Sequence, residues 1–555
     1  MPAKELRFES EARAALKRGA EAVARAVSVT LGPRGRAVVL DKKFGPPIVT
    51  NDGVTIARDL DFKDHFENMG AQLVKEAAIK TNDVAGDGTT TATVLARAMI
   101  DDGLMQVTSG AAPTELRRGM LAAAEAATED IRTRSHPVNG RDDIARVATI
   151  SSSDPEIGSM VADAFDRVGK EGVVSVEDGQ GLTTEVEVVE GMQFDRGYVS
   201  PYLVTDQHSM EAVLENARVL VTDAKISAVN DLLPSLELVM RAHQPLLIVA
   251  EDVTAEALAT LVVNRIRGTF TAVAVKAPAF GDRREAMLQD ISVLTGATVI
   301  SEKVGLRLDA VRDEHLGSAG RVTVTKDNTT IVRGGGKRAA IEARGEEIRR
   351  QIEETTSDWD REKLQERLAR LTGGVAVIKV GAATDVELKE RKARVEDALA
   401  ATRAALEDGV VAGGGVALIR AIPAIDALKL DGDAKLGARI VARALRDPLR
   451  IIATNAGVEG SVVVNAVVAA KGDEGYDAVS GTYGNLPERG IIDPTKVVIT
   501  ALMNATSIAT MVLTTDALVA DVPERDEPGA AGGHDHGGGG GMGMDGMGGM
   551  DDMDF

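Results

Sequence analysis

Alanine-rich helical texture fills both ends of this 555-residue chain and gives way to short β-branched runs in the middle. At the first end, residues 10–32 carry Ala15, Ala22, Val23, Ala26 and Val29 near the 3.6-residue period, and Gly32-Pro33 predicts the stop. Short strands are expected over 37–40 and 48–50, around a turn holding Gly45-Pro46-Pro47. Helix then resumes over 69–110 with a break at 83–88, and continues to Arg134, where Ser135-His136-Pro137 interrupts it. From about Leu182 the runs 184–189, 246–250, 271–275 and 298–300 alternate with helical segments, which is an α/β pattern. Residues 341–371 read as two amphipathic helices around Ser357-Asp358, and 375–380 as a strand. Alanine-rich helix reappears at 395–407 and persists to about Val519. One economical reading is a single helical domain built from both termini with an α/β domain inserted, hinged near Pro137, Gly191, Gly373, Gly374 and Gly409.

Charge and composition narrow the function. Eighty-five acidic against 64 basic residues give a net charge of −21, which argues against nucleic acid as the main partner. The lack of cysteine rules out disulfides, thiolate nucleophiles and Cys-ligated metal. No bilayer-spanning apolar run and no secretory h-region are apparent, so a cytoplasmic, membrane-free protein is expected. Residues 532–555, rich in Gly, Met and Asp, cannot bury a core and read as a flexible tail. Its His534-Asp-His536 is a weak metal site or, more simply, part of a solvated segment.

Three glycine loops carry the candidate chemistry. Residues 83–93 join a Gly-Asp-Gly turn to threonines and an apolar helix, offering N–H groups and hydroxyls for phosphate and Asp87 for Mg²⁺. An ordinary N-cap turn has the same composition. The loops 30–36 and 412–416 are equally ambiguous alone, and no Walker-type GxxxxGK[ST] exists. Asp52 and Asp397 are candidate carboxylates; a turn aspartate and an exposed helix position are the plainer readings. In 255–268, Leu258, Leu261, Val262, Val263 and Ile266 cover an arc of roughly 200°, wider than packing on one sheet needs. Residues 231–240 show a second broad apolar face, and periodicity favours burial for both over an exposed binding patch.

Together, Thr30-Leu-Gly-Pro-Arg-Gly-Arg36, the 83–93 loop, Lys276-Ala-Pro-Ala-Phe-Gly-Asp-Arg-Arg284, Gly373-Gly-Val-Ala-Val-Ile378, Val411-Ala-Gly-Gly-Gly-Val-Ala417 and the Gly/Met-rich tail closely resemble the group I chaperonins (the GroEL family of 60-kDa heat-shock chaperonins) along practically the whole chain. The resemblance implies a multidomain fold: an all-α equatorial ATPase domain (1–136 and 409–522), a small α/β intermediate hinge domain (137–190 and 374–408), an α/β apical domain inserted in the middle (191–373), and a disordered tail (523–555). It implies an ATP hydrolase that uses ATP, Mg²⁺ and K⁺, captures non-native polypeptides, and cycles with a GroES-type co-chaperonin. A homo-oligomer of two stacked seven-membered rings and a stress-response role come with it, and Arg450 and Glu459 match positions used between rings.

Carried over by position, Thr30, Leu31, Gly32 and Pro33 match the nucleotide loop, with Thr30 also implied at K⁺. Asp87, Gly88, Thr89, Thr90 and Thr91 match the phosphate and Mg²⁺ loop, Gly414 a backbone nucleotide contact, and Asp493 the ribose-side carboxylate. Asp397 matches the water-orienting aspartate and Asp52 a second carboxylate near the γ-phosphate. Tyr198, Tyr202, Leu203, Leu233, Leu236, Leu258, Val262 and Val263 match the client and co-chaperonin groove, which reverses the expectation of burial. Departures are Asn51, where several members have lysine; Leu203, in place of a groove phenylalanine; Asp477-Ala478-Val479, in place of the Asn-Ala-Ala that meets adenine; and Ser151-Ser152-Ser153, one residue shorter than the family's loop beside the nucleotide. Leu203, the Asp477 region and the aspartate-containing tail motivate a competing reading, a paralogue that holds or scaffolds clients with weak ATPase; an independent small-molecule kinase or ligase lacks a second substrate motif.

Overall fold

The structure is a computed structural model and describes residues 3–42, 47–169, 172–179, 181–207, 209–355 and 357–521. The Gly45-Pro46 turn and the tail at 523–555 lie outside the described residues. Apolar side chains gather into three main interiors. The largest draws on residues from Ala12 to Ile131 and again from Val411 to Ala520. A second lies between Met192 and Leu371, and a smaller third joins 138–174 to 376–410.

The first interior is a stack of helices. Glu9–Ser28 packs on His65–Ala85, Thr89–Thr108 on Thr495–Thr514, and Pro113–Thr133 on Gly432–Ala444. Small residues permit the close crossings: a Cβ on Gly119 would lie 1.8 Å from the Ala434 carbonyl oxygen, and one on Gly437 would lie 2.1 Å from that of Leu116. Thr495–Thr514 corrects the expectation that no helix has bilayer-spanning character. It has the length and apolarity, but 67% of its most apolar window is buried against neighbouring helices, so a protein core accounts for its composition. The chain ends are zipped together, Lys4–Phe8 running antiparallel to Ala517–Asp521.

In the second interior a seven-stranded sheet is covered on both faces. Ala212–Thr222, Leu246–Ala250 and Ala272–Lys276 are parallel and adjacent in that order. The connections step in one direction through Leu233–Ala242 and Ala255–Arg267, which the right-handed rule for parallel crossovers assigns to one face. The next connection, through Asp282–Thr295, steps back to Val299–Ile300 beside Ala212–Thr222 and so occupies the other face. Arg338–Glu354 and Asp358–Thr372, the two amphipathic helices expected around Ser357, pack there against it.

Val375–Val380 is the centre of a three-stranded sheet, parallel to Val173–Asp178 and antiparallel to Glu185–Val189. From it the chain enters Asp385–Asp408, a 24-residue helix that begins ten residues before the alanine-rich stretch that marks it in the sequence. Thr384 caps it, its hydroxyl accepting from Glu387 N–H at 3.3 Å, and the first turns are charged and solvent-facing, which hides their periodicity.

Candidate nucleotide site and apolar face

A cavity of about 290 Å³ opens where the first and third interiors meet. Thr30, Leu31, Gly32, Pro33, Asp52, Asp87, Gly88, Thr89, Thr90, Thr91, Asp397, Gly414, Asp477, Ala478, Val479 and Asp493 all line it. Residues up to 463 positions apart in sequence are thus brought to one place. Asp397, for which an exposed helix position was the plainer reading, faces this cavity.

Local chemistry shapes each wall. Gly86 and Gly88 both take left-handed backbone, φ 68° and 81°, and so turn Asp87 inward. Gly86 is required twice over, because a Cβ there would lie 2.3 Å from that of Ala400 on the helix carrying Asp397. Thr89–Thr108 begins directly after Gly88 with no side-chain cap, so its first amides point into the cavity unsatisfied. Asp52 caps Gly53–Asp59, accepting from Val54 N–H at 3.1 Å, Thr55 N–H at 3.0 Å and the Thr55 hydroxyl at 2.6 Å. The Thr30 and Thr90 hydroxyl oxygens are 3.3 Å apart, tying the two loops together. Asp493 sits on Ile492–Pro494, paired with Val410–Ala412, and accepts the Gly414 amide.

Asp477 is oriented differently. Its carboxylate accepts from the Ser480 hydroxyl at 2.5 Å and from the Val479 and Ser480 amides at 2.9 and 3.3 Å. Burial alone would raise its pKa, but these bonds and Arg489 hold it below the ordinary value. The carboxylate is committed to its own turn, a task an asparagine oxygen performs equally, and Ala478 and the backbone are left to face the cavity.

Asp397, Asp87 and Asp493 are under electrostatic stress. Burial, then the charges of Asp52, Asp87 and Glu396, push Asp397 well above the ordinary carboxylate range. Burial raises Asp87 as well, against hydrogen bonds from Gly88 and Ser151 and aided by Asp52. Asp493 is pushed up to about 7 by burial and by Asp87, the Gly414 amide opposing. Crowded carboxylates beside an uncapped helix N-terminus suit an anion that arrives with a cation, as a magnesium–phosphate pair does. Among the described residues no group of three or more His, Cys, Asp or Glu forms a self-sufficient metal cage.

Sequence reasoning missed some contributors. Asn455 holds the 30–33 loop, donating to the carbonyls of Ser28 at 3.0 Å and Leu31 at 2.9 Å. The serine loop, expected beside the nucleotide, is at the cavity: Ser151 and Ser153 line it, and Ser151 donates to Asp87 at 3.0 Å. Arg394 lines it too, one turn before Asp397. Asn455 and Arg394 have no local motif; only the fold reveals them.

The apolar residues of the second interior divide. Tyr202 (69%), Leu233 (43%) and Val263 (42%) are exposed, joined by Ile266 and Met240, whereas Tyr198, Leu258 and Val262 are half-buried. Leu203 and Leu236 correct the groove assignment. They are 0% and 4% exposed and belong to the core, so they support the face from beneath. Burial, which periodicity favoured, holds for Leu261, Leu232 and Val239 but not for the outward edges of the two helices.

A family model described as the TCP-1/cpn60 chaperonin family matches residues 23–523.

Proposed function

The chain belongs to the TCP-1/cpn60 chaperonin family, with the protein-folding role of that family, and from that premise we propose that it is a group I, ATP-hydrolysing folding chamber that cycles with a GroES-type co-chaperonin. The observation that carries this reading is the single cavity that gathers the 30–33 loop, the uncapped Thr89–Thr108 terminus and Asp52, Asp87, Asp397 and Asp493. Asp87 would hold Mg²⁺, which when bound would supply charge neutralisation for the phosphates, and Thr30 would hold K⁺.

The protein's own residues do the positioning. Amides of Thr89, Thr90 and Thr91 cradle phosphate, Gly414 brings backbone close to the nucleotide, and Asp493 accepts from the ribose. Ala478 and Val479 flank the base. Asp397 approaches from a separate wall and accepts a hydrogen bond from the attacking water, its raised proton affinity suiting it to take the proton; Asp52 holds its loop and adds negative charge. Non-native chains bind the exposed apolar edge formed by Tyr202, Leu233 and Val263, which has no sequence code to satisfy. The co-chaperonin competes for the same edge and displaces the client into a ring cavity, in two stacked seven-membered rings. The burial of Leu203 removes one motive for a weakened holding paralogue, because its smaller side chain takes nothing from the surface.

The test is refolding of a denatured, aggregation-prone enzyme with ATP and a co-chaperonin, with hydrolysis followed in parallel. Recovery that needs both additions, and that Asp397→Ala abolishes without loss of assembly or ATP binding, is expected. Suppressed aggregation without recovery would instead identify a holding protein.

A further inference from the structure

Five aspartates line the cavity (Asp52, Asp87, Asp397, Asp477 and Asp493), and among the lining residues Arg394 is the one lysine or arginine. It lies three residues before Asp397 on Asp385–Asp408, hence on the same helical face. Arg394 and Asp397 line the same cavity as Asp52, Asp87 and the Thr89 helix terminus. The Arg394 guanidinium is incompletely engaged. One Nη donates to Glu390 at 3.0 Å, and the other lies 3.7 Å from Asp154, beyond hydrogen-bond length. Its Nε is buried without a hydrogen bond, although Glu390 Oε1 is 2.8 Å away, because the N–H is not aligned with it. A planar fork of five N–H donors with several to spare is suited to phosphate oxygens.

We propose that Arg394 binds the terminal phosphate of the nucleotide, so that the helix that presents Asp397 to the attacking water also supplies the cavity's cationic side chain. The proposal rests on the nucleotide reading above. Asn51, next to Asp52 on the cavity wall, is neutral and leaves that charge to Arg394. A terminal-phosphate contact distinguishes triphosphate from diphosphate, whereas a purely structural Arg394–Glu390 pair would not.

Calorimetric titration with Mg²⁺ and either an imido-bridged ATP analogue or ADP separates the two. Arg394→Gln is expected to weaken the analogue about tenfold or more and ADP less than threefold, as for a hydrogen bond to a charged group. Arg394→Lys should retain part of the affinity, and Asn51→Lys added to Arg394→Gln should recover part of it. Unchanged analogue affinity, equal losses for both nucleotides, or no recovery with either lysine would overturn the proposal. Failure of the unmodified protein to bind either nucleotide would instead overturn the nucleotide reading itself.

Discussion

Replacing Asp493 by asparagine should make the nucleotide-free, magnesium-free protein more stable at pH 8, with the gain shrinking as the pH falls to 5. Asp493 ionises at about 7 in the fold against an ordinary 3.8, burial and the Asp87 charge being the causes. A raised carboxylate pKa means that the folded state holds the proton more tightly than the unfolded chain does. Ionisation therefore costs nothing below about pH 4, costs progressively more through pH 7, and reaches its full value above that. At about 1.36 kcal/mol per unit, the full cost is about 4 kcal/mol, and at pH 5 it is only about 1.6 kcal/mol. Asparagine keeps an oxygen to accept the Gly414 amide and carries no charge to bury. Its advantage over aspartate should thus grow by about 2.5 kcal/mol between pH 5 and pH 8, or about 5–10 °C in melting temperature for a domain of 150–250 residues. Thermal melts of both proteins in EDTA at fixed concentration and scan rate measure it. A variant no more stable at pH 8, or an advantage independent of pH, would refute the argument that this carboxylate is held against its electrostatic preference. The same substitution should weaken ATP binding, because strain of this kind is retained where a ligand relieves it.

Gly53→Ala would place a Cβ 2.4 Å from Thr90 Oγ1, 2.8 Å from Thr89 Oγ1 and 3.0 Å from Thr90 N. Overpacking of about 1–3 kcal/mol should fall on the phosphate cradle, and calorimetry should show ATP affinity reduced at least tenfold; unchanged affinity would mean that the cradle lies elsewhere. Val263→Ser, at an exposed site, should alter stability by less than about 0.5 kcal/mol and spare ATP hydrolysis, while capture of a denatured client and of co-chaperonin fall together. Co-chaperonin binding that survives intact would separate the two surfaces. Asp290 is fully buried between Arg344, at 2.8 Å, and Arg367. Asp290→Ala should lose about 3–5 kcal/mol by stranding two guanidinium groups, seen as a lowered first melting transition, and Asp290→Asn should lose less.

Legibility tracked how local the determinant was. Val375–Val380 coincides with its expected range, being β-branched and bounded by Gly373-Gly374 and Gly381. The first helix ends at Ser28, one turn before Gly32-Pro33, since Thr30 already turns back, its hydroxyl donating to the Val27 carbonyl. The Gly-Asp-Gly turn announced the uncapped helix because the whole device spans a few residues. Asn455 and Arg394 were invisible because their partners or their cavity lie far away in sequence. Leu203 and Leu236 show the converse limit: position and polarity place a residue near a surface, but only packing decides which side of it the side chain takes.

The helix Asp385–Asp408 gives the cavity its mechanical meaning. Its apolar side, including Val395, Ala398 and Leu399, belongs to the third interior, while the Thr89 terminus and the 30–33 loop belong to the first. The two meet at small contacts: Gly86 beneath Ala400, and the cluster of Ala85, Ala404 and Val497. Such seams bury little apolar area, so a few kcal/mol decide how tightly the helix sits. Electrostatics supplies energy on that scale, because unit charges about 5 Å apart at an effective dielectric near 20 interact by about 3 kcal/mol. Without a cation, Asp397 is repelled by Asp52 and Asp87. On the nucleotide reading proposed above, a bound cation would offset that repulsion at Asp397, and phosphate oxygens would attract Arg394. At 1.5 Å per residue, Asp397 stands about 18 Å from the Asp385 end, where the chain joins the strand Val375–Val380 and, through it, the covered sheet bearing the apolar edge. A change of charge in the cavity therefore acts on a rigid element whose far end leads to the exposed apolar face, and on the function proposed above the residues that would position water would also determine how firmly that element is seated.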